Sequence, residues 1–125
     1  MLKRFTVFFT LTVLLFVLSL ACKKASQSLT STINDTKWNR MLDTVPVSVT
    51  FSSDNSYTIK LYGITGESGT YTNSSTSLTL HSTFGVCTNS PGTYNYLIIG
   101  SKITFVPVQD SCNSRKIEVS GDWTK

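Results

Sequence analysis

Hydrophobic and polar residues alternate along most of the chain beyond residue 34, in short runs separated by clusters of Gly, Asn, Asp and Ser. Successive side chains of a β-strand point to opposite faces, so this period of two predicts strands that are buried on one side. Eight strands are predicted, over 36–41, 45–52, 56–62, 69–73, 77–82, 92–99, 101–107 and 114–124. No run shows a helical period, and the sequence therefore predicts an all-β domain.

Two architectures suit strands of this kind. In the run 45–52, for example, Val47, Val49 and Phe51 share one face. A small eight-stranded antiparallel up-and-down barrel would bury such faces inside and leave no exposed strand edge. A two-sheet β-sandwich would bury them between its sheets. The barrel is our expectation and the sandwich its alternative, because periodicity alone does not separate them.

The first 22 residues follow a different pattern. Lys3 and Arg4 precede an apolar stretch from Phe5 to Leu20 that only Thr and Ser interrupt. A membrane-spanning helix needs about 20 apolar residues, and this shorter run ends in the small Ala21 just before Cys22. This arrangement is typical of a signal peptide that is cleaved during export. We therefore predict a signal peptide of the lipoprotein type over residues 1–21.

The end of this segment, from Ser19 to Cys22, resembles the lipobox of bacterial lipoproteins, although Ser19 stands where that motif prefers Leu. The resemblance implies that Cys22 is acylated on its sulfur and becomes the mature N-terminus. The alternatives are an ordinary secretory signal, in which Cys22 has no role, and a retained membrane anchor. The polar segment 22–33 then consists of the lipidated Cys and a flexible tether, and residues 34–125 form the domain.

The net charge and the positions of the basic residues indicate which partners to expect. The whole chain has a net charge of +4, but without Lys3 and Arg4 there are 9 Lys and Arg against 7 Asp and Glu, a net charge of +2. Lys23 and Lys24 would lie beside the lipid, where each contributes about 1 kcal/mol at an anionic membrane surface. The other basic residues are scattered, whereas nucleic-acid binding needs them clustered on one face. We expect a membrane partner through the N-terminal lipid and no nucleic-acid partner.

Two cysteines remain in the domain. Cys87 and Cys112 would be exported to an oxidising compartment, where a pair of thiols is expected to form a disulfide. A bridge that closes a loop of about 25 residues stabilises by about 3 kcal/mol. Two free buried thiols are the alternative.

The midpoint of the two cysteines predicts a hairpin. It falls at the turn signal of Ile99 and Gly100, and folding there pairs Tyr94 with Phe105 and Tyr96 with Ile103. Strand parity then places the disulfide at one end of the barrel and the tether at the other. The predicted loop 63–68 lies at the same end as the disulfide.

Candidate catalytic chemistry is sparse. The single histidine, His81, alternates away from the predicted core. A metal site needs several converging ligands, and a nucleophile needs a base that a third group orients. Asp54, Glu67 and Asp110 fall in predicted turns and loops, as solvated charges. We expect no catalytic residues, no metal and no cofactor.

Several motifs along the domain carry a family resemblance. They are an N-terminal strand with Trp38, F-x-x-D-x-x-Y from Phe51 to Tyr57, two G-T-Y motifs at Gly69 and Gly92, C-x-x-R at Cys112 and G-x-W at Gly121. Together they resemble the bacterial lipocalin-like proteins of the calycin type, from about Asp35 onward. Thr36 stands where true lipocalins have a Gly before the Trp, so the resemblance is to the looser superfamily.

The resemblance implies a small eight-stranded barrel, often in a lipoprotein. It also implies that an arginine near the last strand packs over the first Trp, a role that falls to Arg115 and Trp38 by a cation–π contact.

Two non-catalytic functions follow. The barrel could hold a small hydrophobic ligand, lined by Tyr57, Tyr71, Tyr94, Tyr96 and Phe105. Alternatively the same aromatic residues fill the barrel, and its end binds an envelope protein, as calycin-like inhibitors of proteases or lysozyme do, with Phe84 as an exposed anchor. An apolar cavity of at least about 300 Å³ would favour the ligand, and a filled interior the protein partner.

The residues after Cys22 bear on localisation. In Gram-negative sorting Asp after the acylated Cys retains a lipoprotein in the inner membrane, whereas here Lys23 follows. An acidic run of the kind that directs some lipoproteins to the cell surface is missing. We expect an outer-membrane lipid anchor on the periplasmic face.

Overall fold

A computed structural model describes residues 32–125 of the chain, as an all-β domain with one short helix. Eight antiparallel strands pair in chain order and close into a barrel, which confirms the barrel and not the sandwich. The elements are β1 Thr36–Leu42, β2 Val45–Phe51, β3 Ser56–Leu61, β4 Ile64–Asn73, β5 Ser77–Phe84, β6 Pro91–Ile99, β7 Lys102–Asp110, α1 Asn113–Val119 and β8 Gly121–Thr124. The predicted signal peptide, Cys22 and the tether as far as residue 31 lie outside the described residues.

The inward faces follow the predicted alternation. Val47, Val49 and Phe51 of β2 are buried, and so are Tyr57 and Ile59 of β3. Cross-strand pairing brings these faces together, with Phe51 opposite Tyr57 and Val49 opposite Ile59. The core of the domain is therefore the inside of the barrel.

The predicted eighth strand, 114–124, is wrong over most of its length. Residues Asn113–Val119 form the helix α1, and only Gly121–Thr124 pair as a strand. Ile117 and Val119, which the prediction placed on one strand face, point differently, since Ile117 is exposed and Val119 is buried in the core. The predicted strand alternation is absent because a helix repeats every 3.6 residues and not every two.

The predicted loop 63–68 is also wrong. The chain turns in two residues, Tyr62 and Gly63, and β4 begins at Ile64. The longer strand carries Glu67, Gly69 and Tyr71 on its inward face.

The β6–β7 hairpin forms as predicted but in a different register. Tyr96 lies opposite Phe105 and Tyr94 opposite Pro107, two residues away from the predicted pairs. The register also shifts between Thr93 and Tyr94. The cysteines lie beyond the ladder, so their midpoint did not locate the turn.

The two ends of the barrel are distinct. The β1–β2, β3–β4 and β5–β6 connections and α1 share the end that holds the disulfide, which we call the disulfide end. The chain enters β1 at the opposite end, the tether end. Ile33, the last residue of the predicted tether, is fully buried in the core. It therefore packs as part of the barrel domain.

The barrel closes at a seam between its first and last strands. Only Asn39 and Thr124 are paired between β1 and β8. The guanidinium of Arg40 spans the seam, since it donates a hydrogen bond to the carbonyl oxygen of Ser120 and lies 5.3 Å from the ring centroid of Trp123.

Candidate functional site

The five predicted ligand-lining residues all lie inside the barrel. Each of them is at least 95 % buried: Tyr57, Tyr71, Tyr94, Tyr96 and Phe105. They pack with other large rings, because Phe105 lies 6.2 Å from both Phe51 and Tyr96, and 6.4 Å from Trp123, between ring centroids. The aromatic side chains therefore occupy the lumen together.

The tyrosine hydroxyls are committed to partners within the chain. Tyr71 donates to the carbonyl oxygen of Ser52 at 2.8 Å, and Tyr96 to that of Ser74. Tyr57 donates to Oε1 of Glu67 at 2.6 Å, and Tyr94 donates to Oδ2 of Asp110. Each of these buried hydroxyls therefore has its proton hydrogen-bonded within the chain, as is usual for buried polar groups.

An ionic cluster lies inside the disulfide end, around Arg115 of α1. The guanidinium is fully buried and donates to both oxygens of Asp110, from Nε and from Nη2, at 2.8 Å each. It also donates to Oγ of Ser82 at 2.7 Å, and Nη1 lies 3.6 Å from Oε1 of Glu67. The predictions of Asp110 and Glu67 as solvated charges are therefore wrong.

The cluster alters the ionisation of its members. Burial disfavours the charged form of Asp110, but hydrogen bonds from Arg115 and Tyr94 outweigh it and lower the pKa of that carboxyl. Burial likewise opposes the charge of Arg115, while Asp110 and Glu67 raise its pKa. Burial and the nearby carboxylates raise the pKa values of Tyr57 and Tyr94. At neutral pH the cluster holds Arg115 charged and both phenols protonated.

These interactions are those of a closed structural network. Every partner of the Arg115 guanidinium belongs to the chain itself, and the helix that carries it packs over the disulfide end. A buried carboxylate that is already paired with an arginine is a poor general base, because its pKa lies below the usual range. The interactions of the cluster therefore tie α1 to the strands of the disulfide end.

The predicted disulfide is confirmed. Cys87 and Cys112 are joined, with their Cα atoms 5.6 Å apart. The bridge links the β5–β6 connection to the residue just before α1, and so holds the helix over the barrel.

The predicted contact of Arg115 with Trp38 is wrong, because Arg115 points into the ionic cluster. Two other cations take comparable positions. Nζ of Lys125 lies 4.8 Å from the ring centroid of Trp38, and Arg40 lies over Trp123. Both tryptophans pair with a cation, but neither with the residue that the family resemblance implied.

The remaining candidates for chemistry lie apart from one another. His81 is exposed on the outside of β5, as predicted. Asp54 accepts a hydrogen bond from the backbone of Ser56 at 2.9 Å in the β2–β3 turn. Among residues 32–125, no three His, Cys, Asp or Glu side chains are grouped as metal ligands would be. Over the same residues no helix is long and apolar enough to cross a membrane.

Grooves on the outside of the barrel are shallow. One of about 400 Å³ runs along the seam beside Asn39, Arg40 and Met41. Another, of about 260 Å³, lies between Leu97 and Val106 on the outer face of β6 and β7. Neither is lined by the cluster around Arg115, whereas a third groove, of about 280 Å³, is lined by His81 and by the Arg115 partners Ser82 and Ser90.

The disulfide end carries a group of exposed apolar side chains that we call the apolar rim. Tyr62 and Phe84 are 64 % and 56 % exposed, and Ile64 and Val86 still more. The complete rim consists of Met41, Tyr62, Ile64, Phe84, Val86 and Ile117. The sequence singled out only Phe84, for its position near the disulfide. Met41, Tyr62 and Ile117 fell within predicted strands, and Ile64 and Val86 in predicted loops.

Tyr62 has an unusual backbone conformation. Its φ is +51°, followed by +78° at Gly63, so both residues of the turn are left-handed. Asn, Asp or Gly normally occupy such positions in a two-residue hairpin, because a larger side chain is strained there. The turn therefore displays a tyrosine at a cost in stability.

Comparisons with known proteins yield no relative. No protein family, curated protein or solved structure matches this chain.

Proposed function

We propose that this chain is a non-catalytic, lipid-anchored protein of the bacterial cell envelope, and that its apolar rim binds another protein. The observation that carries the proposal is the rim itself, in which a strained turn holds Tyr62 in solvent beside Ile64. Backbone strain of this kind is concentrated at functional sites, where the rest of the fold sustains it.

The filled lumen favours this function over the binding of a small ligand. Both tryptophans, Phe51 and Phe105 are almost wholly buried inside the barrel, together with the tyrosines that were candidates for a ligand site. A ligand of drug size needs a cavity of about 300 Å³ or more. To admit one, the barrel would have to displace rings that pack against each other.

The composition of the rim suits a protein interface. Aromatic residues are enriched among the side chains that dominate binding energy, and charged residues are depleted at the centre of interfaces. Tyr62 and Phe84 supply the aromatic anchors, and Ile64 and Val86 extend the apolar area around them. A protein with an apolar cleft is the partner that this surface fits.

The anchor is part of the proposal. The resemblance of residues 19–22 to a lipobox supports acylation at Cys22, and Lys23 supports an outer-membrane location on the periplasmic face. The described chain enters β1 at the end of the barrel opposite to the apolar rim. The closed eight-stranded barrel also supports a lipocalin-like assignment.

The test uses photo-crosslinking in living cells of the source bacterium. A benzophenone side chain replaces Tyr62 or Phe84 at the apolar rim, and Thr76, exposed in the β4–β5 turn at the tether end, serves as the matched control. We expect a discrete protein adduct from the two rim positions and none from position 76. An Ile64→Asp substitution should weaken that adduct, since it puts a charge into the apolar rim.

Three results would contradict the proposal. They are equal adducts from all positions, adducts only from position 76, and no adduct from either rim position. Mass spectrometry of the protein from the same membranes tests the acyl chains on Cys22 separately.

A further inference from the structure

Charges are distributed unevenly around the barrel. From Ser68 to Ser101 the sequence contains no Asp, Glu, Lys or Arg, and residues 103–109 contain none either. These two stretches supply most of β4 and β5, all of β6 and most of β7. We call their outward-facing side chains the uncharged wall. The charged residues of the domain lie mainly on the other side, on β1, β3, β8 and α1.

An apolar stripe runs along the uncharged wall. Leu97 and Ile99 of β6 are 60 % and 68 % exposed, and Val106 and Val108 of β7 are 55 % and 59 % exposed. Asn95 pairs with Val106, and Leu97 with Thr104, so the stripe spans both strands of the hairpin. It extends from the tether end, at Ile99, towards the disulfide end, at Val108.

We propose that this stripe rests on the surface of a phospholipid bilayer, so that the lipid-anchored barrel lies with β6 and β7 against the membrane. The proposal rests on the lipid anchor at Cys22 proposed above. Its core is the coincidence of four exposed aliphatic side chains with a wall whose own residues carry no charge, and which the exposed pair of Lys102 and Asp122 borders on the β8 side.

Desolvation explains why the wall, and not another side, would face the lipid. Moving an ionised side chain into the interfacial region costs free energy, whereas threonine hydroxyls and an Asn amide can bind headgroup oxygens and water there. The hairpin has two charged residues, the buried Asp110 at the disulfide end of β7 and the exposed Lys102 at its tether end. Nζ of Lys102 lies 2.7 Å from Oδ2 of Asp122 on the neighbouring strand β8, and both side chains are about half exposed. An exposed ion pair of this kind contributes little stability, so the long side chain of Lys102 can exchange Asp122 for a lipid phosphate while its carbon atoms stay near the apolar stripe.

The composition of the stripe favours lipid over a protein partner. Leu, Val, Ser and Thr are under-represented among the residues that dominate protein interfaces, which are instead enriched in Trp, Tyr and Arg. The stripe has no aromatic side chain, in contrast to the apolar rim. The groove of about 260 Å³ between Leu97 and Val106 is lined mostly by carbon and offers a place for a segment of acyl chain.

The tether permits this orientation. Residues 23–32 span at most about 35 Å when extended, and the longest strands of nine or ten residues rise about 30 Å. The chain leaves the barrel at the same end as Ile99. A tether of this length reaches from the bilayer to that end while the barrel lies on its side.

The experiment uses the lipidated protein, purified from its own membranes and reconstituted in vesicles of phosphatidylethanolamine and phosphatidylglycerol. With Cys22 acylated and Cys87 bonded to Cys112, one introduced cysteine provides a single labelling site. An environment-sensitive fluorophore is attached at Leu97→Cys or Val106→Cys, and at the exposed Lys60→Cys on β3 as the control. Nitroxide groups on the lipids then quench any fluorophore that touches the bilayer.

We expect several-fold stronger quenching at positions 97 and 106 than at position 60. Equal quenching at all three positions, or stronger quenching at position 60, would overturn the proposal. In a second variant, Leu97→Asp with Val108→Asp, quenching at position 106 should fall to the level of the control. Thermal unfolding of that variant shows whether the fold is retained.

Two further outcomes are distinguished by design. The stronger quenching at positions 97 and 106 than at position 60 should persist when each vesicle holds one protein molecule. If that difference disappears, the stripe contacts a second copy of the chain and the bilayer proposal fails. The mass of the purified protein reports the acyl chains before reconstitution. Their absence refutes the anchor and with it this orientation, whereas acylated protein with equal quenching refutes the orientation alone.

Discussion

Arg115 and Asp110 form a two-pronged ion pair inside the barrel, with Nε and Nη2 of the guanidinium each 2.8 Å from a different carboxylate oxygen. Asp110 ends β7, and Arg115 lies in the helix that follows it. The short connection between them is also held by the disulfide at Cys112. The ion pair and the disulfide therefore fix the same helix to the same end of the barrel.

Removing the arginine should be strongly destabilising. An Arg115→Met substitution leaves Asp110 and Glu67 buried without their cation, and breaking a buried pair in this way costs about 3–5 kcal/mol. The free energy of unfolding in urea measures the loss. Lys116→Met, on the next residue of the helix, is the control and should change stability by no more than about 0.5 kcal/mol. Similar losses in both variants would contradict the structural role of the pair.

Asp110 should make the domain sensitive to acid. Its pKa in the folded state lies below the ordinary value of 3.8, so its ionised form stabilises the fold at neutral pH. That contribution is complete above pH 3.8 and is lost as the pH falls through the lower, folded-state pKa. The stability difference between the wild type and Asp110→Asn should therefore shrink below pH 3.8. A difference that is constant between pH 7 and pH 2.5 would disagree with this linkage.

Glu118 should destabilise the domain at neutral pH, which is the opposite of the effect of Asp110. Burial, and secondarily the charge of Glu67, raise its pKa above 4.5, so the ionised form disfavours the fold. The stability cost is complete above the folded-state pKa and disappears as the pH falls to 4.5 and below. Glu118→Gln should be more stable than the wild type at pH 7 and equal to it at pH 3.5. Thermal unfolding at the two pH values provides the measurement.

Tyr62 offers a test of stability against binding. Asn adopts the left-handed conformation more readily than Tyr, so Tyr62→Asn should raise the free energy of unfolding by about 1 kcal/mol. The gain should accompany a loss of the adduct formed at Phe84 of the apolar rim. Asn55, with φ of +63° in the β2–β3 turn, supplies the reverse control, since Asn55→Tyr should lose a similar amount. If Tyr62→Asn is less stable than the wild type, the strain is not present.

The disulfide should stabilise the domain by closing a loop. Its cysteines are 25 residues apart, for which loop entropy gives about 3 kcal/mol. Replacing Cys87 and Cys112 together by Ser should lower the free energy of unfolding by about this amount. A reducing agent should lower the free energy of unfolding of the wild type and leave that of the double variant unchanged. This comparison separates the effect of the bridge from other effects of the substitutions.

The strands were predictable where one face is apolar and the other polar. In β2 and β5 the alternation of Val47, Val49 and Phe51, and of Leu78 and Leu80, matches the buried positions. The helix α1 was not predictable, because Ile117 and Val119 show the alternation expected of a strand and the segment is only seven residues long. The spacing of Arg115 and Val119, four residues apart and both buried, is the helical signal that was available.

The ionic cluster escaped prediction for a related reason. Glu67 lies two residues before Gly69 and four before Tyr71, so strand parity would have placed it inside had β4 been extended back to Ile64. A carboxylate was instead assigned to solvent because charged residues are rarely fully buried unless paired. Its partner, Arg115, belongs to the helix that alternation had misassigned.

The single residue pair at the seam has a consequence for how the protein is made. Asn39 lies 85 residues before its partner, Thr124. During synthesis β1 therefore remains an open strand edge until β8 has emerged, and contacts between such distant residues form slowly. The barrel therefore cannot close until its last strand, β8, is present, so most of the domain is made before its wall is complete.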